Sequence, residues 1–353
     1  MSGDPVPIPA GSGRRCWRVG YPLGVSSARV IPVLACLLTL AACSNPSANP
    51  SSTVSATPSA SATPTPTASS TVKVQDSLDA ITVTGKQLKA PTVKVKTPFA
   101  IDKTRVEVLD PGTGYKALAD GSVTIHYYGV DGRTGKTFDE SYSGGTPVTF
   151  SLAQVIAGFK DGLTGQRAGS RVLIAMPGKD GYDAAGGNSQ AGIEVGDTLI
   201  FVVDILAVSV NQPEGKVLTP PSGLPKVTGA AADKPTVTIP SGSAPGKMSA
   251  TVLIEGTGPK VAKSDTITAR YVGYSWKTGK LIDDGFASPT SGTLSNLIPG
   301  WTTGLEGKRV GSRVLLVLPP ADGFPQGSNN PPVEAGDTVV YVVDILFSET
   351  AAG

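Results

Sequence analysis

The sequence predicts an α+β fold: an antiparallel β-sheet wrapped on a short helix, made twice in tandem. Three observations lead there. Gly at 43 and Pro at 30 of 353 residues, with only 16% charged side chains, favour turn-rich β structure over helical bundles. Short apolar, β-branched runs lie between turn residues, and a single short helical signal stands among them. Whole blocks of sequence recur about 140 residues apart, far too long a period for a solenoid unit, so each copy owns a core.

The repeat is direct. Gly196–Leu206 reads GDTLIFVVDIL and Gly336–Leu346 reads GDTVVYVVDIL. Arg167–Ile174 (RAGSRVLI) answers Arg309–Leu316 (RVGSRVLL), and Ala90-Pro91-Thr92-Val93 answers Lys234-Pro235-Thr236-Val237. The boundaries this implies are a first domain over 76–210, a linker rich in Pro, Gly and Ala over 211–234, and a second, divergent domain over 235–348.

In the first copy the strand signals are Val106 to Leu109, Val123 to Val130, Arg171 to Met176 and Thr198 to Val208. The helical signal runs from Ser151 to Leu163 and is bounded by glycines. It predicts one or two turns around Val155 and a second short helix near Lys160, set against one face of the sheet.

The first 75 residues read as an address. Arg14, Arg15, Arg18 and Arg29 precede an apolar stretch from Val30 to Ala42, the order of a signal peptide over residues 1–42. Thirteen residues make a helix of about 20 Å, too short for a hydrocarbon core of about 30 Å. The stretch ends in Leu40-Ala41-Ala42-Cys43, which resembles a bacterial lipobox and makes Cys43 the expected lipid attachment site. Residues 43–75 are the lipidated cysteine followed by a Ser/Thr/Pro/Ala tether, too poor in apolar side chains to offset its ordering entropy. The expected location is the extracytoplasmic face of the cell membrane, held by lipid.

Composition removes other chemistries. Net charge is +2, from 30 basic against 28 acidic residues without a basic run, so no nucleic-acid partner is implied. All three cysteines lie at or before Cys43, leaving the folded part without thiolate chemistry. His126 is the sole histidine and reads as a packed or surface strand residue. No metal or cofactor is expected.

The first copy resembles an FKBP-type peptidyl-prolyl isomerase in five pieces that occur in order. They are Ile125-His126-Tyr127, Lys136 to Ser141 with Phe138-Asp139 at its centre, Val155-Ile156-Ala157-Gly158-Phe159, Pro177 to Tyr182, and Ile193 with Thr198 to Phe201. The resemblance implies a shallow apolar cup between sheet and helix that takes a proline ring. Its implied catalytic residues are Tyr127, Asp139 and Tyr182. Its implied substrate-binding residues are Phe138, Phe150, Val155, Ile156, Ile193 and Phe201, with Phe159 as floor where the family usually has Trp. The implied partners are proline-containing polypeptides. The implied activity is cis–trans isomerisation, and a non-catalytic proline-binding or chaperone module is the alternative.

The second copy matches less completely. Tyr271, Asp283, Leu297, Ile298, Trp301, Val333 and Tyr341 fall on corresponding positions, with Trp301 restoring the family's floor residue. Ile282, Gly292 and Phe324 stand where the first copy has Phe138, Phe150 and Tyr182, so two aromatic walls and a hydroxyl are missing. The first domain is therefore expected to be the likelier active one.

Overall fold

The computed structural model describes residues 72–350. The expected signal segment, Cys43 and most of the tether lie outside the described residues. The last stretch of the expected tether is structured, since Val74–Gln75 pairs in parallel with Ala100–Ile101.

The first sheet is antiparallel, in the order Arg105–Asp110, Arg171–Met176, Leu199–Val208, Ser122–Asp131 and Thr137–Glu140. Val148–Ser151 pairs with the first half of Ser122–Asp131. The central strands Arg171–Met176 and Leu199–Val208 are almost wholly buried along their length, because both faces of the sheet are covered. Val172, Ile174, Met176, Phe201 and Val203 pack toward the helix α1, Ala157–Leu163. Leu173, Ala175, Ile200 and Val202 pack toward the opposite layer, where Leu78, Ile81, Phe99 and Ile101 cover them. The period-2 alternation of a strand thus feeds two apolar layers at once.

That second layer includes a hairpin, Ile81–Thr84 paired with Thr92–Val95. It is pinned by a buried ion pair. Arg171 and Asp204 sit directly opposite each other across two strands, with Nη2 to Oδ2 at 2.7 Å and Nε to Oδ1 at 2.7 Å. The guanidinium also donates to the Gly85 and Lys89 carbonyls of the hairpin loop, and Asp204 Oδ2 accepts the Leu88 N–H at 2.7 Å. Two charges in an otherwise apolar layer are tolerated because their hydrogen-bonding capacity is filled by the loop.

The second copy repeats the design. Its strands run in the order Gly215–Val217, Ser249–Gly256, Arg313–Leu318, Val339–Glu349, Thr266–Ser275 and Leu281–Asp284, with Thr290–Thr293 beside the start of Thr266–Ser275. The helix α2, Pro299–Leu305, takes the place of α1. Asp344 accepts from both Arg313 and Arg270, and Arg313 donates to the Ala230 and Ala231 carbonyls. This corrects the expected linker at 211–234. Gly215–Val217 adds a strand to the second sheet, and Lys226–Thr228 pairs with Thr236–Thr238 as the second copy's own hairpin. Strands of three residues among Pro and Gly carry too little pattern to be read as strands.

The copies are joined tightly. The Tyr115 hydroxyl of the first donates to the Glu214 carbonyl and accepts the Thr257 N–H at 2.7 Å. Gly311 lies under that hydroxyl at φ +86°, where a Cβ would stand 2.2 Å from the oxygen. Val210 N–H donates to the Leu346 carbonyl, and Tyr115, Val210, Val310 and Leu346 belong to one apolar cluster spanning both copies.

Candidate active site

The cup in the first copy begins with how close α1 comes to the sheet. Gly158 and Gly162 face Met176 and Ile174, and a Cβ at either position would lie 2.4 Å from Met176 Sδ or 2.8 Å from Ile174 Cδ1. Helix and sheet therefore meet backbone to side chain, which brings Phe159 against Phe201 with ring centroids 4.5 Å apart. Other rings extend the contact: Phe150 meets Phe159 edge-on at 5.9 Å, Phe138 meets Phe201 edge-on at 5.4 Å, and Tyr127 lies 6.3 Å from Phe201. Tilted and edge-to-face pairs are the favoured arrangement of aromatic quadrupoles.

Each wall comes from a different element. Tyr127 lies on the long strand Ser122–Asp131, and Phe138 and Asp139 on Thr137–Glu140. Phe150 precedes a single 3-10 turn at Leu152–Gln154, and Ile156 is the N-cap of α1. Phe159, Ile193 and Phe201 are buried, whereas Tyr127, Phe138, Phe150, Val155, Ile156 and Tyr182 are half-buried against the same cluster. Tyr182 opens the short turn Asp183–Ala185, and Ile193 is bridged to Asn188 by paired backbone bonds. The expected short helices near Val155 and Lys160 are this 3-10 turn and α1.

Asp139 is held at two points. Tyr127 Oη donates to Oδ2 at 2.6 Å, and the Glu140 N–H donates to Oδ1 at 2.9 Å. Burial, and then the acid itself, push the Tyr127 phenol far above its ordinary range, so the hydroxyl keeps its proton. The pair presents a fixed negative charge beside an aromatic surface.

Sequence reasoning did not single out the support behind this pair. Ser141 Oγ accepts the Tyr127 N–H at 3.0 Å and lies 3.0 Å from His126 Nδ1. The His126 ring stacks on Tyr142 at 4.9 Å, and Tyr142 Oη donates to Asp204 Oδ2 at 2.8 Å. The segment following Asp139 is thus moored to the buried Arg171–Asp204 pair. The available signal was the presence of charged Arg171 and Asp204 inside apolar strand runs.

In the second copy Tyr271, Asp283, Leu297, Ile298, Trp301, Phe324 and Tyr341 line one cavity of about 180 Å³. Val333 is buried against the same core cluster, where Ile282 packs half-buried, and neither belongs to the cavity lining. The acid is held differently. Asp283 accepts at 3.2 Å from Tyr341, which lies two strands away on Val339–Glu349, while Tyr271 on the strand between them leans perpendicular to Trp301 at 5.0 Å. Burial raises the Asp283 carboxyl above its ordinary range despite the Tyr341 bond.

Comparison with known proteins agrees with this double architecture. A family model described as FKBP-type peptidyl-prolyl cis-trans isomerase matches residues 114–206 and 258–346. The chain is 42% identical to an FK506-binding protein of Streptomyces anulatus over 101 residues, covering 28% of this chain and 79% of that protein. It is 31% identical to a probable FK506-binding protein of Corynebacterium glutamicum over 120 residues, 34% of this chain and 99% of the relative. It is 34% identical over 104 residues to the FKBP-type peptidyl-prolyl cis-trans isomerase FkpA of Escherichia coli K12, 29% of this chain and 36% of that one. With both matched segments falling on the two sheets and their helices, the chain belongs to the FKBP-type peptidyl-prolyl cis-trans isomerase family.

Proposed function

We propose that the chain is a peptidyl-prolyl cis–trans isomerase whose first domain carries the turnover. The observation that carries the reading is Asp139, fixed by Tyr127 at 2.6 Å beside a continuous surface of Phe138, Phe201, Phe159 and Phe150.

Rotation about an X-Pro bond faces a barrier of roughly 18–20 kcal/mol because the amide is conjugated. No covalent catalyst is required, and each ~1.4 kcal/mol removed gives about tenfold in rate. The pyrrolidine sits on Phe159 between Phe150 and Phe201, which strips water from the amide. As the bond twists, charge on nitrogen and oxygen redistributes. The Tyr182 hydroxyl and the Ile156 N–H bind peptide carbonyls, and the Asp139 carboxylate supplies a field that favours the twisted state over the planar one. Val155 and Ile193 complete the apolar rim. Asp139→Val combined with Tyr182→Phe lowers the rate in a protease-coupled assay on a proline tetrapeptide while the far-UV spectrum stays native; an unchanged rate contradicts the assignment.

The proposed setting is the outer face of the cell membrane. A diacylglyceryl group on Cys43 holds the protein, and exported polypeptides with slow proline steps are its substrates. A Pro-rich tether at about 3.1 Å per residue gives the domains reach from the bilayer. Cys43→Ser releases the protein from the membrane fraction; retention of that variant contradicts the anchor. The second domain serves as a peptide-binding module, supported by its retained cup and by Phe324 in place of Tyr182.

A further inference from the structure

We infer that the second cup receives a phenylalanine or tyrosine side chain of an extended polypeptide rather than a proline ring. The inference rests on the second domain being a binding module, and it names the module's ligand.

Strand register identifies where the two cups differ. In the first copy Val123 pairs with Phe150 and Ile125 with Val148. In the second, Ile267 pairs with Gly292 and Ala269 with Thr290. Phe150 has therefore become Gly292 and Ile125 has become Ala269, two losses of side-chain volume on neighbouring positions of one wall. Ile282 in place of Phe138 removes a further ring. Trp301 refills part of the floor, and Tyr271 swings onto it, a position that only a glycine at 285 allows, since a Cβ there would lie 2.6 Å from the Tyr271 ring.

The outcome is a cavity of about 180 Å³, and Ala269, Gly292 and Leu297 are among its lining residues. An apolar cavity of about 150 Å³ accommodates a benzene ring. Three rings bound the space at mutually steep angles: Tyr271 to Trp301 at 5.0 Å, Trp301 to Tyr341 at 5.4 Å and Tyr271 to Tyr341 at 6.0 Å. A fourth ring entering there meets edges and faces in the geometry aromatic pairs favour. Trp301 Nε1 is buried without a hydrogen-bond partner, and an aromatic face is a weak acceptor for such a donor.

The polar side of the cup argues the same way. Phe324 offers no hydroxyl where the first copy has Tyr182, and the Tyr341 hydroxyl is engaged by Asp283. A site that has lost a carbonyl donor and gained room for a six-membered ring is suited to holding a side chain, not to twisting a prolyl amide.

The test uses the full chain and two blocked alanine-rich pentapeptides, one with phenylalanine and one with proline at the centre. Binding is followed through the indole N–H resonance of Trp301. The phenylalanine peptide shifts that resonance saturably and binds at least about tenfold tighter there than the proline peptide. Gly292→Phe, which refills the wall, weakens the phenylalanine peptide about tenfold or more, and Ala269→Ile does so if the larger ring disturbs folding. Equal or tighter binding of the proline peptide at Trp301, or an unchanged phenylalanine affinity in both variants, overturns the inference. Turnover of the proline peptide by the wild-type chain is read in the same samples. Its absence contradicts the isomerase reading while leaving the aromatic site standing, so the two failures are distinguishable.

Discussion

Tyr142 Oη donates to Asp204 Oδ2 at 2.8 Å, tying the segment that follows Asp139 to the buried centre of the sheet. The same carboxylate is gripped by Arg171 and by the Leu88 N–H of the hairpin loop. An ornament on the back of the sheet therefore reaches the acid on its front. Tyr142→Phe removes one bond to a charged acceptor and leaves the aromatic stack on His126 intact. The expected cost is about 1–2 kcal/mol in stability by urea denaturation. Isomerisation falls about three- to tenfold, in kcat more than in KM, because Asp139 is less firmly placed rather than absent. A stability loss with unchanged kcat shows that the mooring is structural alone.

Arg171 and Arg313 occupy equivalent positions but differ in how replaceable they are. Removing Arg171 leaves Asp204 buried without a cation, whereas removing Arg313 leaves Asp344 still bonded to Arg270 at 2.9 Å. Arg171→Met is expected to cost about 3–5 kcal/mol. Arg313→Met costs measurably less. Equal losses in chemical denaturation of the two variants contradict the shared-cation account.

The Tyr115 hydroxyl bridges the Glu214 carbonyl and the Thr257 N–H across the junction of the copies. With an apolar cluster continuous through that junction, the two copies are expected to unfold together. Tyr115→Ala leaves two backbone groups without their partner and opens the cluster. Calorimetry is expected to show one transition in the wild type and two in the variant; a single unshifted transition in both contradicts the coupling.

Asp283 titrates above the ordinary carboxylate range because burial disfavours its charged form. The folded state then binds more protons than the unfolded chain, so this group favours folding at low pH and that benefit is lost as pH rises through its folded pKa. Asp283→Asn accordingly gains stability relative to the wild type at pH 7 and loses that advantage as pH falls below the carboxylate range. Melting temperatures of both proteins across that interval give the sign. A variant advantage that grows toward low pH contradicts it.

Much of this was readable from residue order. The helix Ala157–Leu163 and the strands Arg171–Met176 and Leu199–Val208 fall where periodicity and glycine punctuation put them, because burial on both faces leaves long apolar runs. The rings of Phe138 and Phe159 both meet Phe201, and all three lie in the ordered pieces that carry the family resemblance. Less legible were the hairpins. Lys226–Thr228 and Thr236–Thr238 are three residues each, and the carbonyls that the loop between them presents to Arg313 belong to backbone, which composition does not encode. The exchange of Tyr271 for Tyr341 as partner of Asp283 was equally hidden. It depends on Tyr replacing Phe on the adjoining strand and on the room left beside Trp301.

The central claim is that the acid at position 139, not the one at 283, drives prolyl isomerisation. NMR exchange spectroscopy on a proline tetrapeptide, comparing Asp139→Val with Asp283→Val in the full chain, tests it directly. The account predicts that Asp139→Val removes most of the catalysed cis–trans exchange and that Asp283→Val leaves most of it. Loss confined to Asp283→Val, or full exchange in both variants, contradicts it.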